Sequence, residues 1–249
     1  FLKVDPRIDP LSPDNVLVAG IGPLGATGLG GGTKMKWTFK SPAYHIFGDS
    51  TCGGRFPGAM RWAGYDHIVI TGRARQPVII VIKDEQVEIR DGQRFWGKDA
   101  FAAHDMIRNY LGDKEFEVAG IGPAGENLVT YASIISSRHR VAGRTGGGAV
   151  MGSKNLKAIA IRGFKGIPIY NRQAFFKAID AVWAAHEKIA RVRDGQKIYG
   201  TLRATTFYQR LGGNAYRNDQ VARLPEDKAD KLSHHWYLQN IQSSFDTCS

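Results

Sequence analysis

For roughly two thirds of the chain the apolar residues fall in short runs and short alternations; beyond that they recur with a helical period. Asn15 to Ala19 reads as a short buried strand, entered from the Pro-rich turn Asp9 to Pro13. A glycine-dense loop, Gly20 to Gly32, leads to Met35 to Phe39, whose alternation predicts a second strand. After Ser41-Pro42 comes another glycine-rich bend at Cys52-Gly53-Gly54, and Phe56 to Trp62 predicts a short helix closed by Gly64. His67 to Thr71, Val78 to Ile82 and Gln86 to Arg90 read as consecutive strands, the last two joined by the polar turn Lys83-Asp84-Glu85. Asp99 to Leu111 has helical spacing, with Phe101, Ile107, Tyr110 and Leu111 as anchors and Gly112 at its end. Phe116 to Ile121, Val129 to Ile135 and Ala158 to Arg162 complete a strand-heavy first domain. Helix and strand mix without regular βαβ alternation, which predicts an α+β fold.

The character changes near Gly166-Ile167-Pro168. Arg172 to Arg191 is amphipathic, with Phe175, Phe176, Ile179, Val182, Trp183 and Ile189 along one side, and the remainder reads as helical and irregular. The expected organisation is therefore a domain over 1–166 and the beginning of a mainly helical domain over 167–249.

Composition narrows the class. A hydrophobic content of 43% with 10% aromatics belongs to a packed protein. Apolar runs such as Pro77 to Ile82 are strand-sized, so no membrane insertion is expected. The chain starts at Phe1 without Met, and a native N-terminus further upstream is expected. Two cysteines make no disulfide framework, which points to a reducing, cytoplasmic setting. The net charge of +11 raises a basic polyanion-binding module as one reading. No RNP, KH or helix-turn-helix pattern accompanies it, so a nucleic-acid partner is not expected. The placement of the acids says more: residues 15–48 and 127–179 contain no Asp or Glu, and both windows are rich in glycine with Lys or Arg. Accessible backbone N–H groups, nearby cations and no carboxylate are what a phosphorylated ligand needs.

Two segments match G-x-G-x-x-G, Gly20 to Gly25 and Gly120 to Gly125, each after a strand. A dinucleotide site also needs a following helix and an acid about 20 residues on. Ala26 to Gly32 is mostly glycine, and neither window supplies the acid. Tight turns that let strands pack closely are the better reading. The likeness of Val18 to Pro23 to Val118 to Pro123 hints at a pseudo-repeat.

The run Arg138 to Gly148 sets three arginines among four glycines, and Ala149 to Ile159 follows directly. Its first half reads as an anion cradle and its second as a loop feeding the strand Ala158 to Arg162. GRTGGGAVMGSKNLKAIAIRG, from Gly143, closely resembles the corresponding stretch of the tungsten-containing aldehyde ferredoxin oxidoreductases. So do DPLSPDNVLVAGIGPL, WAGYDHIVITGRARQPVIIVIKDEQVEIRD, WGKDAF and IGPAGENLVTYASII, in family order from residue 9 to residue 166.

The resemblance implies two packed β-sheets forming a platform for a tungsten bis-pterin cofactor, with a magnesium ion bridging the pterin phosphates. It places Arg140 and the backbone of Val141 at one phosphate and the magnesium, continued by Gly143 and Arg144. Thr51 and Gly53 take the phosphate-contacting positions of the earlier loop, and Lys34 stands nearby. The family commonly has Ala, Asn and Arg where this chain has Val141, Thr51 and Lys34. Lysine keeps the charge and loses the planar fork.

The resemblance further implies a [4Fe–4S] cluster held by a C-x-x-C-x-x-x-C run and one later cysteine. Cys248 falls at the first ligand position, and the other ligands and most of the substrate pocket are expected beyond Ser249. No catalytic residue is assignable. Cys52 reads as a small buried thiol, and His45, His67, His104 and the pair His234-His235 as ordinary loop or surface histidines. The implied activity is oxidation of an aldehyde to a carboxylic acid, with ferredoxin or another electron-transfer subunit as acceptor, in a homodimer or hetero-oligomer. The tungsten subunit of a benzoyl-CoA-type aromatic ring reductase, which shares the platform, is the alternative.

Overall fold

The structure is a computed structural model that describes residues 4–189, 195 and 197–241. The chain divides into two compact units, one reaching Pro168 and one starting at Ile169.

The first unit is built on two sheets. The smaller holds β1 (Leu17–Ile21), β2 (Met35–Lys40), β3 (Phe47–Cys52) and β4 (His67–Ile70), in the order β3-β2-β1-β4 and antiparallel throughout. Helix α1 (Arg55–Trp62) follows β3 directly. The larger sheet holds β5 (Val78–Lys83), β6 (Gln86–Asp91), β7 (Glu117–Gly120), β8 (Ile134–Ser136), β9 (Arg140–Ala142) and β10 (Leu156–Arg162). Its order is β6-β5-β10-β7-β8-β9, with one parallel pair, β5 and β10. Helices α2 (Ala100–Leu111), α3 (Pro123–Glu126) and α4 (Gly147–Ser153) fill the connections.

One apolar core joins the sheets: Leu17, Trp37 and Phe39 of the smaller meet Ile134, Ile159 and Ile161 of the larger, with Phe56, Met60, Val150 and Met151 among them. The far face of the larger sheet is covered as well, where Ile79, Val81, Val118 and Ala160 pack with Phe95 and Ile107. Covering on both faces explains why Ala158 to Ile161 of β10 is an unbroken apolar run and not an alternation. Within that run Lys157 is fully buried; its Nζ donates to Lys98 O at 2.8 Å and pairs with Glu126 at 2.5 Å. Burial pulls the Lys157 ammonium below its usual range, and Glu126 pulls it back.

The predicted elements lie close to where the sequence pattern sets them, with six departures, two of which are β9 and α3, where the pattern predicts an anion cradle and a tight turn. β3 is not among the predicted strands, because Phe47-Gly48-Asp49-Ser50-Thr51-Cys52 is polar and glycine-bearing. Val129 to Ser133 stays outside the strand that begins at Ile134. Phe101 and Tyr110, taken as anchors of α2, are exposed, and Ile107 carries the packing. The stretch after Gly146, expected as a loop, is the buried helix α4.

The second unit contains α5 (Arg172–Lys188), α6 (Lys197–Tyr199), α7 (Ala204–Leu211), α8 (Glu226–Asp230) and α9 (His234–Asn240). It is mainly helical, with a single isolated β-bridge between Tyr216 and Val221 among its described residues. Of the apolar side of α5 only Ile179 is buried; Phe176, Val182 and Trp183 are exposed. No described helix is long and apolar enough to cross a membrane.

Candidate anion-binding site

β3 and β9 are each the last strand of their own sheet, and they lie side by side where the sheets meet. Of the seven residues singled out in the sequence, Thr51 and Gly53 sit at the end of β3, and Arg140 and Val141 in β9. Gly143 and Arg144 follow β9, and Lys34 immediately precedes Met35, the register partner of Cys52. The topology therefore brings all seven to one seam, and Lys34, Thr51, Val141, Gly143 and Arg144 are exposed there.

Serine hydroxyls stitch the seam at two places. On one side the Ser137 Oγ accepts from the backbone N–H of Arg55 at 3.0 Å and of Phe56 at 2.8 Å. Ser136 donates to the Cys52 sulfur at 3.5 Å beside it. On the other side the Arg144 N–H donates to Ser50 Oγ at 3.1 Å, and Thr145 Oγ1 to the Asp49 carbonyl at 3.2 Å. Ser41 Oγ donates to the Thr145 carbonyl at 2.8 Å. The two stitches bracket Arg140 to Gly143.

The local backbone is strained in a way that matches this role. Ser137, Arg138 and Thr145 all have positive φ, at 46°, 65° and 63°, a region that non-glycine residues enter at a cost. Gly54 has φ 93°, and a Cβ on it would lie 2.6 Å from Arg140 Cγ and 3.1 Å from Ser137 Cβ. Only glycine lets the Arg140 side chain cross the loop so closely.

Charge at the seam is mostly positive. Asp49, on the Thr51 face of β3, pairs with Lys36, and Asp105 pairs with Arg138 of the β8–β9 turn. Burial pushes the Cys52 thiol upward, against smaller downward effects of Ser136, Trp37 and Lys34, so Cys52 stays a neutral thiol. Beside the seam a cleft of about 520 Å³ runs between Ala26 and Thr33 of the glycine-dense loop, Arg55 and Trp62 of α1, and Arg162.

The structure also redraws the glycine-arginine run. Gly146, Gly147, Gly148 and Gly152 are buried and turn away from the seam into close packing. A Cβ on Gly148 would meet Ser133 O at 2.5 Å, and one on Gly152 would overlap the Gly125 carbonyl. Lys154 and Lys157 are withdrawn too: Lys154 Nζ donates to the carbonyls of Pro13, Asn15 and Gly72 at 3.2, 2.5 and 3.0 Å. Of the run, Val141, Gly143 and Arg144 are exposed at the seam and Arg140 is half-buried there.

His104, expected at the surface, is buried in α2 with Nδ1 3.1 Å from Asp105 Oδ1. Among the described residues no group of three or more His, Cys, Asp or Glu side chains is placed to hold a metal ion. Cys248 lies outside the described residues. The serines of the stitches carry no local sequence pattern because their partners are 81 to 104 residues away.

Residues 1–163 match the family described as aldehyde ferredoxin oxidoreductase, N-terminal domain. The tungsten-containing aldehyde ferredoxin oxidoreductase of Pyrococcus furiosus is 38% identical over 247 residues, covering 96% of this chain and 40% of that protein. The enzyme of the same name from Thermococcus kodakarensis is 40% identical with the same coverage. Among solved structures, the active-site complex BamBC of benzoyl coenzyme A reductase, with 1,5-dienoyl-CoA, matches with a TM-score of 0.83 and 27% identity over 99% of this chain and 39% of that one. The chain thus spans about two fifths of the length of these relatives.

Proposed function

The chain belongs to the aldehyde ferredoxin oxidoreductase family, and from that premise we propose that its first unit holds a tungsten bis-pterin cofactor by the phosphates at the β3–β9 seam. The observation that carries the reading is the convergence of Lys34, Thr51, Gly53, Arg140, Val141, Gly143 and Arg144 on one cation-rich seam, where all but the buried Gly53 and the half-buried Arg140 are exposed. The residues fit such a group. Arginine forks suit phosphate oxygens, and Gly54 leaves the loop bare where a side chain would collide with Arg140. The main-chain carbonyls of Thr51 and Val141 would be the oxygen ligands for a magnesium ion, which prefers hard oxygen donors. Contacts of that kind would be main-chain, which would let Thr51 and Val141 differ from the residues common in the family.

When bound, the cofactor supplies two-electron redox chemistry at its metal. The chain's own part is to neutralise the phosphates with Arg140, Arg144 and Lys34 and to hold the cofactor against a rigid double-sheet core. In the complete protein this supports oxidation of an aldehyde to a carboxylic acid. Cys248 would be the first ligand of a [4Fe–4S] cluster, a group that would supply electron transfer to ferredoxin or another electron-transfer subunit. A cytoplasmic homodimer or hetero-oligomer is the assembly that goes with this reading.

The likeness to the benzoyl coenzyme A reductase complex carries a second reading, a subunit of an aromatic ring reductase working in the reducing direction. Elemental and pterin analysis of the natively purified protein tests the shared claim. Tungsten or molybdenum together with pterin is expected, and absence of both metals would overturn it. Aldehyde-dependent reduction of a low-potential dye then separates the readings, since a ring reductase leaves the dye oxidised.

A further inference from the structure

Helix α1 lacks a cap of its own. Its N-cap residue is Gly54, which has no side chain to offer, and the cap comes instead from Ser137. One hydroxyl oxygen takes the first two N–H groups of the helix, those of Arg55 and Phe56, from a turn some 80 residues further along. That turn is itself fastened to the body of the larger sheet: the Ser137 N–H donates to the Val118 carbonyl at 3.0 Å, and Arg138 pairs with Asp105 of α2. Ser137 therefore joins the loop Thr51 to Gly54, through the helix that follows it, to the strand that begins at Arg140. The joint is tight, because a Cβ on Gly54 would already press on both Ser137 and Arg140.

A second consequence concerns the helix end. Helix N-termini commonly receive phosphate on their unpaired N–H groups. Here the first two are occupied by protein, so an anion at the seam must be met by the loop and the cations, whose spacing then matters more.

Building on the proposed cofactor site, we propose that Ser137 is a positioning residue: its hydroxyl sets the separation of the Thr51–Gly54 loop from Arg140 and Val141, and so governs how tightly the phosphate-bearing cofactor is retained without touching it. A cap that served only the helix would change stability alone. The backbone offers a way to separate the two roles, because Ser137 sits at φ 46°. Glycine accepts that conformation freely, so Ser137→Gly removes the hydroxyl while relieving backbone strain, and the two effects on stability oppose each other. Asparagine tolerates the left-handed region and offers a side-chain oxygen, so Ser137→Asn can restore the acceptor.

The test uses the native holoprotein and both variants. Tungsten and pterin per protein are measured after a fixed incubation and gel filtration, alongside the thermal midpoint of cofactor-stripped protein. Ser137→Gly is expected to keep a midpoint within a few degrees of wild type and to lose cofactor roughly fivefold faster, the factor that one helix cap is worth. Ser137→Asn is expected to recover most of the retention. Retention in Ser137→Gly equal to wild type, or a loss matched by a proportionate fall in the midpoint, overturns the positioning role. A wild-type protein carrying neither tungsten nor molybdenum sinks the cofactor reading itself and this inference with it. A loaded wild type with an equally loaded glycine variant sinks only the role of Ser137.

Discussion

The two halves of the run from Arg140 to Lys157 look alike in sequence and do opposite things in the fold. Arg140 to Arg144 lies along an exposed seam between two edge strands. Gly146 to Lys157 turns inward, where its glycines admit neighbouring backbone and its lysines are buried among carbonyls and a carboxylate. Glycine and cation together therefore carry two meanings: bare backbone offered to a ligand, or bare backbone pressed against other backbone. What separates them is whether protein atoms already occupy the place of the missing side chain.

The contrast is sharpest at Lys157. Replacing it by Met strands the Glu126 carboxylate, only 4% exposed, without its partner, at an expected cost of about 3–5 kcal/mol. Chemical denaturation measures it; a loss below about 1 kcal/mol would mean the pair is wetter than its burial indicates. Gly152→Ala comes next, since its Cβ meets the Gly125 carbonyl and α4 has no room to retreat. A loss of about 2–3 kcal/mol is expected, and an unchanged midpoint would contradict the packing account.

Lys154 gives a pH signature of the same buried half. Burial first, then Arg73, lowers its ammonium to about 8, against an unfolded value of about 10.4. Between those values the unfolded chain binds the proton and the folded one does not, so this group adds stability as pH rises through that window. The gain is of the order of 2 kcal/mol, below the full linkage value, because the three carbonyls favour the charged form. Lys154→Met should remove that slope; identical pH profiles for variant and wild type would refute it. In the exposed half, Arg144→Gln should leave stability within about 0.5 kcal/mol, because the stitch to Ser50 uses the Arg144 backbone. Cofactor retention should fall by about 2 kcal/mol, the worth of one charge-assisted hydrogen bond. Loss of stability without loss of cofactor would reverse the assignment of the two halves.

Much of this was legible beforehand, for physical reasons. Strands β5 and β10 announce themselves by apolar runs, whereas the short polar β9 does not, and α2 shows itself by its Asp99 cap and the left-handed Gly112 at its end. The glycine- and cation-rich runs are local in sequence, and it is their resemblance to a known family that singles out the seam positions. The stitches are not local, since Ser137 and Ser50 bond to groups far along the chain. β3 hides because it is an edge strand whose outer positions, such as Asp49 and Thr51, are polar. α4 hides because a glycine-rich helix has little propensity of its own and is held by packing.

The most direct measurement is anomalous scattering at the tungsten edge from crystals of the native holoprotein. The expected result is a metal beside the β3–β9 seam, with the pterin phosphates within hydrogen-bonding distance of Arg140, Arg144 and the Thr51–Gly53 loop. Tungsten elsewhere, or phosphates that touch none of these residues, would contradict the account.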